Sequence, residues 1–413
     1  MNGKHRWAFS ARFRRHAFGW RSQPAITRIR EAVSEIKKAV RSDLLLAAEG
    51  AVLLLEKLSP ALEQVDSSSG AIGTAVNHAI DALVPVISEA PAGEQLRSKW
   101  LDRLWQAVQD DDMPYIETLT DYWGDLCATS ECASRWADHL VDTVRLAWSP
   151  DPSLRGYFKG TTACLSALLK AGRNQEIMDL LELSPHKSWH YRQWGVRALA
   201  AMGKRAEALR YAESGGDPND SPFAIARVCE EILLSSGMSE EAYARYATLA
   251  NQQGTYLATL RAIARKYPSK SAAEILRDLV GSTPGEEGKW FAAARSAGLY
   301  REAIELANRT PCDPRTLARA ARDMAAEEPQ FALEAGIAAL RWLAEGYGYE
   351  ITRMEIWQAY ASTMKAADGA GCRIETLERI RRLLARATHG SFVLQAIGRE
   401  QEISGSGGHP GTP

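Results

Sequence analysis

Cys127, Cys132 and His139 are metal-ligand residue types at spacings of five and seven, and a helix through Cys132 and His139 sets those two on one face, two turns apart. Structural zinc usually takes four such ligands. No second Cys/His pair stands near them in sequence, so they are read as small buried thiols beside an ordinary histidine, and no metal site is expected. His186 and His190 flank Trp189 without the intervening glutamate of a metalloprotease helix and are read as loop polarity. Asp110, Asp111, Asp112, Glu117 and Asp121 offer oxygen ligands but not the alternating acids and central glycine of a calcium loop; capping and solvation are expected. Ser67, Ser68 and Ser69 before Gly70 lack the Gly-Lys-Ser/Thr ending of a nucleotide loop and read as a helix cap. No nucleophile stands with its base, and no phosphate loop or convergent ligand set is seen. The expectation is a protein that is not an enzyme, has no cofactor and has no evident small-molecule substrate.

Binding chemistry is better represented. Between Met1 and Arg30 lie eight basic residues, two histidines, five large aromatics and no acid, which leaves the remainder with 42 basic against 51 acidic side chains. The chain thus reads as a basic arm on an acidic body. Arg6, Trp7, Arg12, Arg14, Arg15, Trp20 and Arg21 combine phosphate-binding cations with stacking surfaces, so nucleic acid is one partner this arm suits; docking of the arm on the body is the other reading. Arg379, Arg382 and Arg386 stand opposite Leu377, Ile380 and Leu384 on a helix and read as a solvated face. Trp189, Trp194 and Trp290, with Trp342 and Trp357, are candidate anchors for a protein partner or packing residues between helices.

The elements that must position these residues are helical. Ile26, Ile29, Val33, Ile36 and Val40 recur at helical spacing from Pro24 onward. The same periodicity predicts helices over 43–58, stopped before Pro60, and over 71–90, kinked or split at Pro85. It also predicts helices over 94–110, 131–148, 351–367 and 373–387, whereas period-two alternation is missing. Gly172, Gly203, Gly237, Pro268, Gly298 and Pro329 fall at spacings of 31, 34, 31, 30 and 31 residues. After four of these breaks comes Glu followed by a small or aliphatic residue: Glu176 and Ile177, Glu207 and Ala208, Glu241 and Ala242, Glu302 and Ala303. A left-handed glycine would end one helix, the glutamate would sit in the positive first turn of the next, and the small residue would let the two helices approach. Pro185, Pro218, Pro284 and Pro311 stand where each second helix has to stop.

This Gly-x-x-x-Glu-Ala turn, with proline near the repeat end, resembles the tetratricopeptide repeat over about Tyr157 to Gly348. The usual Trp, Leu, Gly and Tyr positions of the first helix are not kept, and the period is shorter. The resemblance implies a right-handed α-solenoid that binds protein. His16 to Pro24, Leu46 to Pro60, Ser67 to Gly73 and Thr283 to Trp290 resemble a bacterial family of helical-repeat proteins, a domain of unknown function, which implies a bacterial origin and no particular activity.

The predicted fold is therefore all-α: a basic arm (1–23), an N-terminal helical segment (24–149), a tetratricopeptide-like solenoid (150–348), C-terminal capping helices (349–402) and a disordered tail (403–413). Six sparse cysteines fit a reducing compartment, and a cytoplasmic location is expected. The apolar run Leu44 to Leu55 has twelve residues and carries Glu49 and Gly50, short of a membrane span, and the first stretch is too broken by arginine for a secretory signal; no membrane partner is expected. The predicted function is a scaffold for a protein or peptide, with a nucleic-acid-associated regulator acting through residues 1–30 as the alternative.

Overall fold

The computed structural model describes residues 5–215 and 217–405, so Met1 to Lys4 of the arm and residues 406–413 of the tail lie outside the described residues. Every regular element among the described residues is a helix. The chain divides between Ser221 and Pro222 into two compact units, a division that falls within the segment 150–348.

In the N-terminal unit, α1 (Ser22–Val40), α2 (Leu44–Leu62) and α3 (Ala71–Ser88) pack on one another, and α4 (Glu94–Gln109) lies on α2. α5 (Trp123–Cys127) and α6 (Ser130–Ala147) lead into paired helices α7 (Thr161–Lys170) with α8 (Asn174–Leu183), and α9 (Trp189–Ala201) with α10 (Arg205–Glu213). α3 is long and apolar enough by composition to cross a membrane; half of its residues are buried in this unit, against α1 and α2. Pro60 and Pro85 lie inside α2 and α3, which run on past them, so neither proline stops or splits its helix. Each stands within the last turn, so the i−4 carbonyl that its missing N–H leaves unmatched lies near the helix end.

The C-terminal unit continues with α11 (Pro222–Ser235), α12 (Ser239–Ala250), α13 (Tyr256–Lys266), α14 (Ala272–Gly281), α15 (Phe291–Ser296) and α16 (Tyr300–Arg309). Then come α17 (Pro314–Met324), α18 (Pro329–Ala344), α19 (Arg353–Gly369), α20 (Arg373–Arg386) and α21 (Gly390–Gly405). Consecutive helices pair, and α13 also touches α15, α16 touches α18, and α17 touches α19: two rows of alternating helices, the stacking of an α-solenoid. α21 is a third helix beyond the predicted two, and it carries regular structure to Gly405, inside the stretch expected to be disordered.

The repeated turn forms as its sequence requires. Gly203 takes φ 78°, and its own N–H bonds to Ala200 O at 3.0 Å while Lys204 N–H bonds to Leu199 O at 2.9 Å. The bond from the residue after glycine to the carbonyl five residues back recurs at Gly172, Gly237, Gly298 and Gly371. Ile177, Ala208, Ala242 and Ala303 are fully buried where the second helix of each pair meets its neighbours.

A second device, which the repeat pattern does not show, closes the other end of many pairs. The last carbonyls of a helix carry partial negative charge and lack intrahelical donors. In this chain they are met by cations from elsewhere. Lys159 Nζ donates to the carbonyls of Val108, Gln109 and Asp111 after α4, and Lys187 Nζ to Leu181 and Glu182 on α8. Arg97 closes α3 through Ile87 O and Ala90 O, Arg227 closes α12 through Ala250 O, and Arg341 reaches Asn308 O on α16. Arg192 binds Tyr211 O and Ala212 O on α10 and pairs with Asp220 at 3.0 Å, both side chains being buried. Arg192→Met strands the Asp220 carboxylate without its partner, and the expected loss is about 3–5 kcal/mol, read from equilibrium urea unfolding. A loss below about 1 kcal/mol would mean that this corner is solvated in solution.

Candidate functional site

The arm is part of the core. Trp7, Phe9, Phe13 and Phe18 are buried, and successive rings meet at centroid distances of 5.5, 6.3 and 5.4 Å. The Trp7 ring lies over Gly50 of α2, where a Cβ would overlap it. The backbone is pinned as well: Ala8 N and Phe9 N donate to Glu35 at 2.8 and 3.2 Å, His16 N to Pro60 O at 2.9 Å, and Trp20 O accepts from Asp66 N at 2.9 Å. Arg12 pairs with Glu31 at 3.0 Å and Arg15 with Glu63 at 3.2 Å. Of the residues predicted to contact nucleic acid, Trp7 is therefore withdrawn from any ligand, and Arg12 and Arg15 are partnered. Arg6, Arg14 and Arg21 are exposed, and Trp20 is 72% exposed. The aromatics prefer the apolar core to water by more than a stacking contact would return.

The tryptophans predicted as anchors of a binding surface are also core residues. Trp189 is buried with Arg192 against its ring, and its N–H bonds to Asp220 at 2.5 Å. Trp194 is 1% exposed beneath Arg197. Trp290 packs edge-on against Tyr256 and donates to Thr283 Oγ1 at 2.8 Å. Trp342 donates to Ala307 O at 2.8 Å, and Trp357, half-buried, lies against Tyr360. Helical spacing places a residue on a buried stripe; it does not say which stripe faces outward.

The acidic run divides differently from expectation. Asp111 is buried, accepting from Ser59 Oγ and, at 2.8 Å, from Ile116 N, and burial raises its pKa. Asp121 is raised too, by burial, against the opposing influence of His190, Thr162 and Arg197. Among the described residues no three metal-ligating side chains converge.

The open site is a groove in the C-terminal unit, where α17 and α19 lie side by side. Leu317, Ala320 and Ala321 bury one face of α17, while Ala318, Arg319 and Arg322 turn to a pocket of about 570 Å³. Its far wall is Gln358, Ala361 and Ser362 of α19, with Leu343 and Ile351 at its apolar end. Small residues on both helices keep the slot open. Asp313 caps α17 by accepting from Arg315 N and Thr316 N, and Thr352 with Glu355 forms the capping box of α19. Arg315 Nε joins the two helix starts through Glu355 at 2.6 Å, which together with the capping N–H holds the Glu355 carboxyl down at about 2. Arg319 donates to Arg315 O and Thr316 Oγ1 and has no acidic partner among the described residues. The groove is thus apolar at one end and cationic along one wall. Neither this pairing nor its arginines follow from the glycine register, since α17 and α19 belong to different pairs.

A second concavity, of about 540 Å³, lies between α1 and α3. Arg30, Lys37, Lys38, Arg41 and His78 line it, with no acid, over a floor that includes Val33 and Ala79.

No family model matches the chain, and no curated protein matches it. Among solved structures it is similar to one titled as the crystal structure of the APC/C hetero-tetramer Cut9-Hcn1, at 14% identity and a TM-score of 0.22, covering 90% of this chain and 82% of that one.

Gly50→Ala is expected to lose about 1–3 kcal/mol by urea unfolding, because the new methyl meets the Trp7 ring. In a Trp7→Ala background, itself costing about 3–5 kcal/mol, the same change becomes neutral. Additive costs would show that the ring does not sit on Gly50. For Glu355, a depressed folded pKa means a stabilising contribution complete above the ordinary glutamate range and lost as pH falls through about 2. Carboxyl NMR should find its midpoint there, and Arg315→Ala should return it toward about 4.3.

Proposed function

We propose that this chain is a non-enzymatic, cytoplasmic scaffold that takes a segment of a partner protein into the α17/α19 groove. The single observation that carries the reading is that α17 and α19, two helices of one row, present Ala318 and Ala361 to the same groove beside Arg319. An apolar side chain filling that slot gains burial, and an adjacent carboxylate gains a charge-assisted hydrogen bond from Arg319 or Arg322. The segment this suits is an apolar residue next to Asp, Glu or a free C-terminus. Helix-pair stacks serve this use well because neighbouring pairs hold the surface rigid, so little entropy is spent on ordering the receptor.

Peptides selected from a displayed random library on the full chain test this. Acid-plus-apolar sequences are expected to dominate, and Ala318→Trp, which fills the slot, and Arg319→Glu, which inverts its wall, should each weaken them at least about tenfold. Selected peptides that bind both variants as well as the parent chain would place recognition elsewhere. A second reading, a nucleic-acid-associated regulator, is favoured by the acid-free lining of the α1/α3 concavity rather than by the arm. It requires duplex or single-stranded nucleic acid to bind with a steep salt dependence that flattens on Lys37→Glu with Arg41→Glu.

A further inference from the structure

The N-terminal unit holds a second pocket, of about 640 Å³, that the binding reading does not use. Cys127, the last residue of α5, and Cys132, in the first turn of α6, both line it. The four residues between them begin with a strained one: Ala128 takes φ 64°, a conformation a residue with a Cβ rarely adopts. The two thiols line the same pocket on either side of that turn. Two guanidiniums stand nearby. Arg97 of α4 is buried, with its N–H groups on the carbonyls that end α3, and Arg135 of α6 lines the pocket and pairs with Glu94 at 2.6 Å. Asp102, Glu131 and His139 complete the charged and titratable lining. Of the remaining cysteines, Cys164, Cys229 and Cys312 are buried and Cys372 is half-buried.

We propose that Cys132 and Cys127 form a peroxide-reactive dithiol, Cys132 being the attacking sulfur and Cys127 the resolving one. The positive first turn of α6 and the two guanidiniums favour a thiolate at Cys132. Hydrogen bonding from Cys127, then Arg135 and Arg97, bring its pKa down to about 7 against the opposing effect of burial, while contact with Cys132 and burial raise that of Cys127. In the first step the Cys132 thiolate attacks one oxygen of a hydroperoxide, the O–O bond breaks, and the departing oxygen takes a proton, leaving Cys132 as the sulfenic acid. In the second, Cys127 gives up its proton and attacks the Cys132 sulfur, the S–O bond breaks, and water leaves. The sulfur pair loses two electrons and the peroxide is reduced by two, to two waters if it is hydrogen peroxide. The product joins the end of α5 to the start of α6 across Ala128.

The test uses the full chain and hydrogen peroxide. Intact mass should fall by about 2 Da, and peptide mapping should find the Cys127–Cys132 disulfide before any change at Cys372. Cys127→Ser should stop at the sulfenic acid, trapped by dimedone on residue 132. Cys132→Ser should give neither product. Both variants are checked by circular dichroism, and iodoacetamide labelling of Cys132 in Cys127→Ser provides a measurement on a single thiol, expected to be at least about tenfold faster than at Cys372 at neutral pH. Oxidation of Cys372 ahead of the pair, or labelling of Cys132 no faster than Cys372, would overturn the proposal.

Discussion

The C-terminal ends of twenty-one α-helices among the described residues leave many carbonyls with no intrahelical donor, and the way they are satisfied organises the rest of the structure. Two devices share the task. At the turn inside a pair, a left-handed glycine bends the chain back so that the next residues donate to the helix just ended, as at Gly203. At several ends of second helices, the donor is an arginine or lysine from another helix, as Arg192 of α9 does for α10 and Arg341 of α18 for α16. A cation there meets both the lone pairs and the negative end of the helix dipole, so it ties one pair to the next more strongly than an uncharged donor would.

That economy explains the charge distribution. Arg12 and Arg15 of the arm meet Glu31 of α1 and Glu63 at the end of α2, and the Trp7 ring fills the space over Gly50. A segment that reads as a detachable polyelectrolyte is the lid of a hydrophobic core. Cations with no acidic partner among the described residues stand instead in the α1/α3 concavity and, as Arg319, on the α17 wall of the groove.

The two sites argued above lie in different units and differ in kind. The α17/α19 groove depends on the placing of whole helices, with the small residues Ala318 and Ala361 on its two walls. The cysteine pocket depends on one short strained connection and on which side chains α4 and α6 turn toward it. A repeat architecture accommodates both, because each pair needs only its neighbours to be stable and the loops between pairs are free to vary.

The chain's order of residues determined by itself what depends on local spacing. It set the all-helical class, the position of each glycine turn, the glutamates that open the second helices and the prolines that end them, because these are properties of 3.6-residue periodicity and of individual φ preferences. α21 escaped the sequence reading although Phe392, Val393, Ala396 and Ile397 recur at helical spacing, because the Gly, Ser and Pro of the tail stand close behind it. Pro60 and Pro85 misled because a proline near a helix end does not by itself fix on which side of it the last turn falls. Tertiary structure alone decided which face of each helix is covered: that Trp189, Trp194 and Trp290 are core, that Arg12 and Arg15 are partnered, that Asp111 is buried, and that Arg319 is not met by an acid. Burial is a relation between segments distant in sequence, and amphipathic periodicity marks only that a face is apolar, never which other helix comes to cover it.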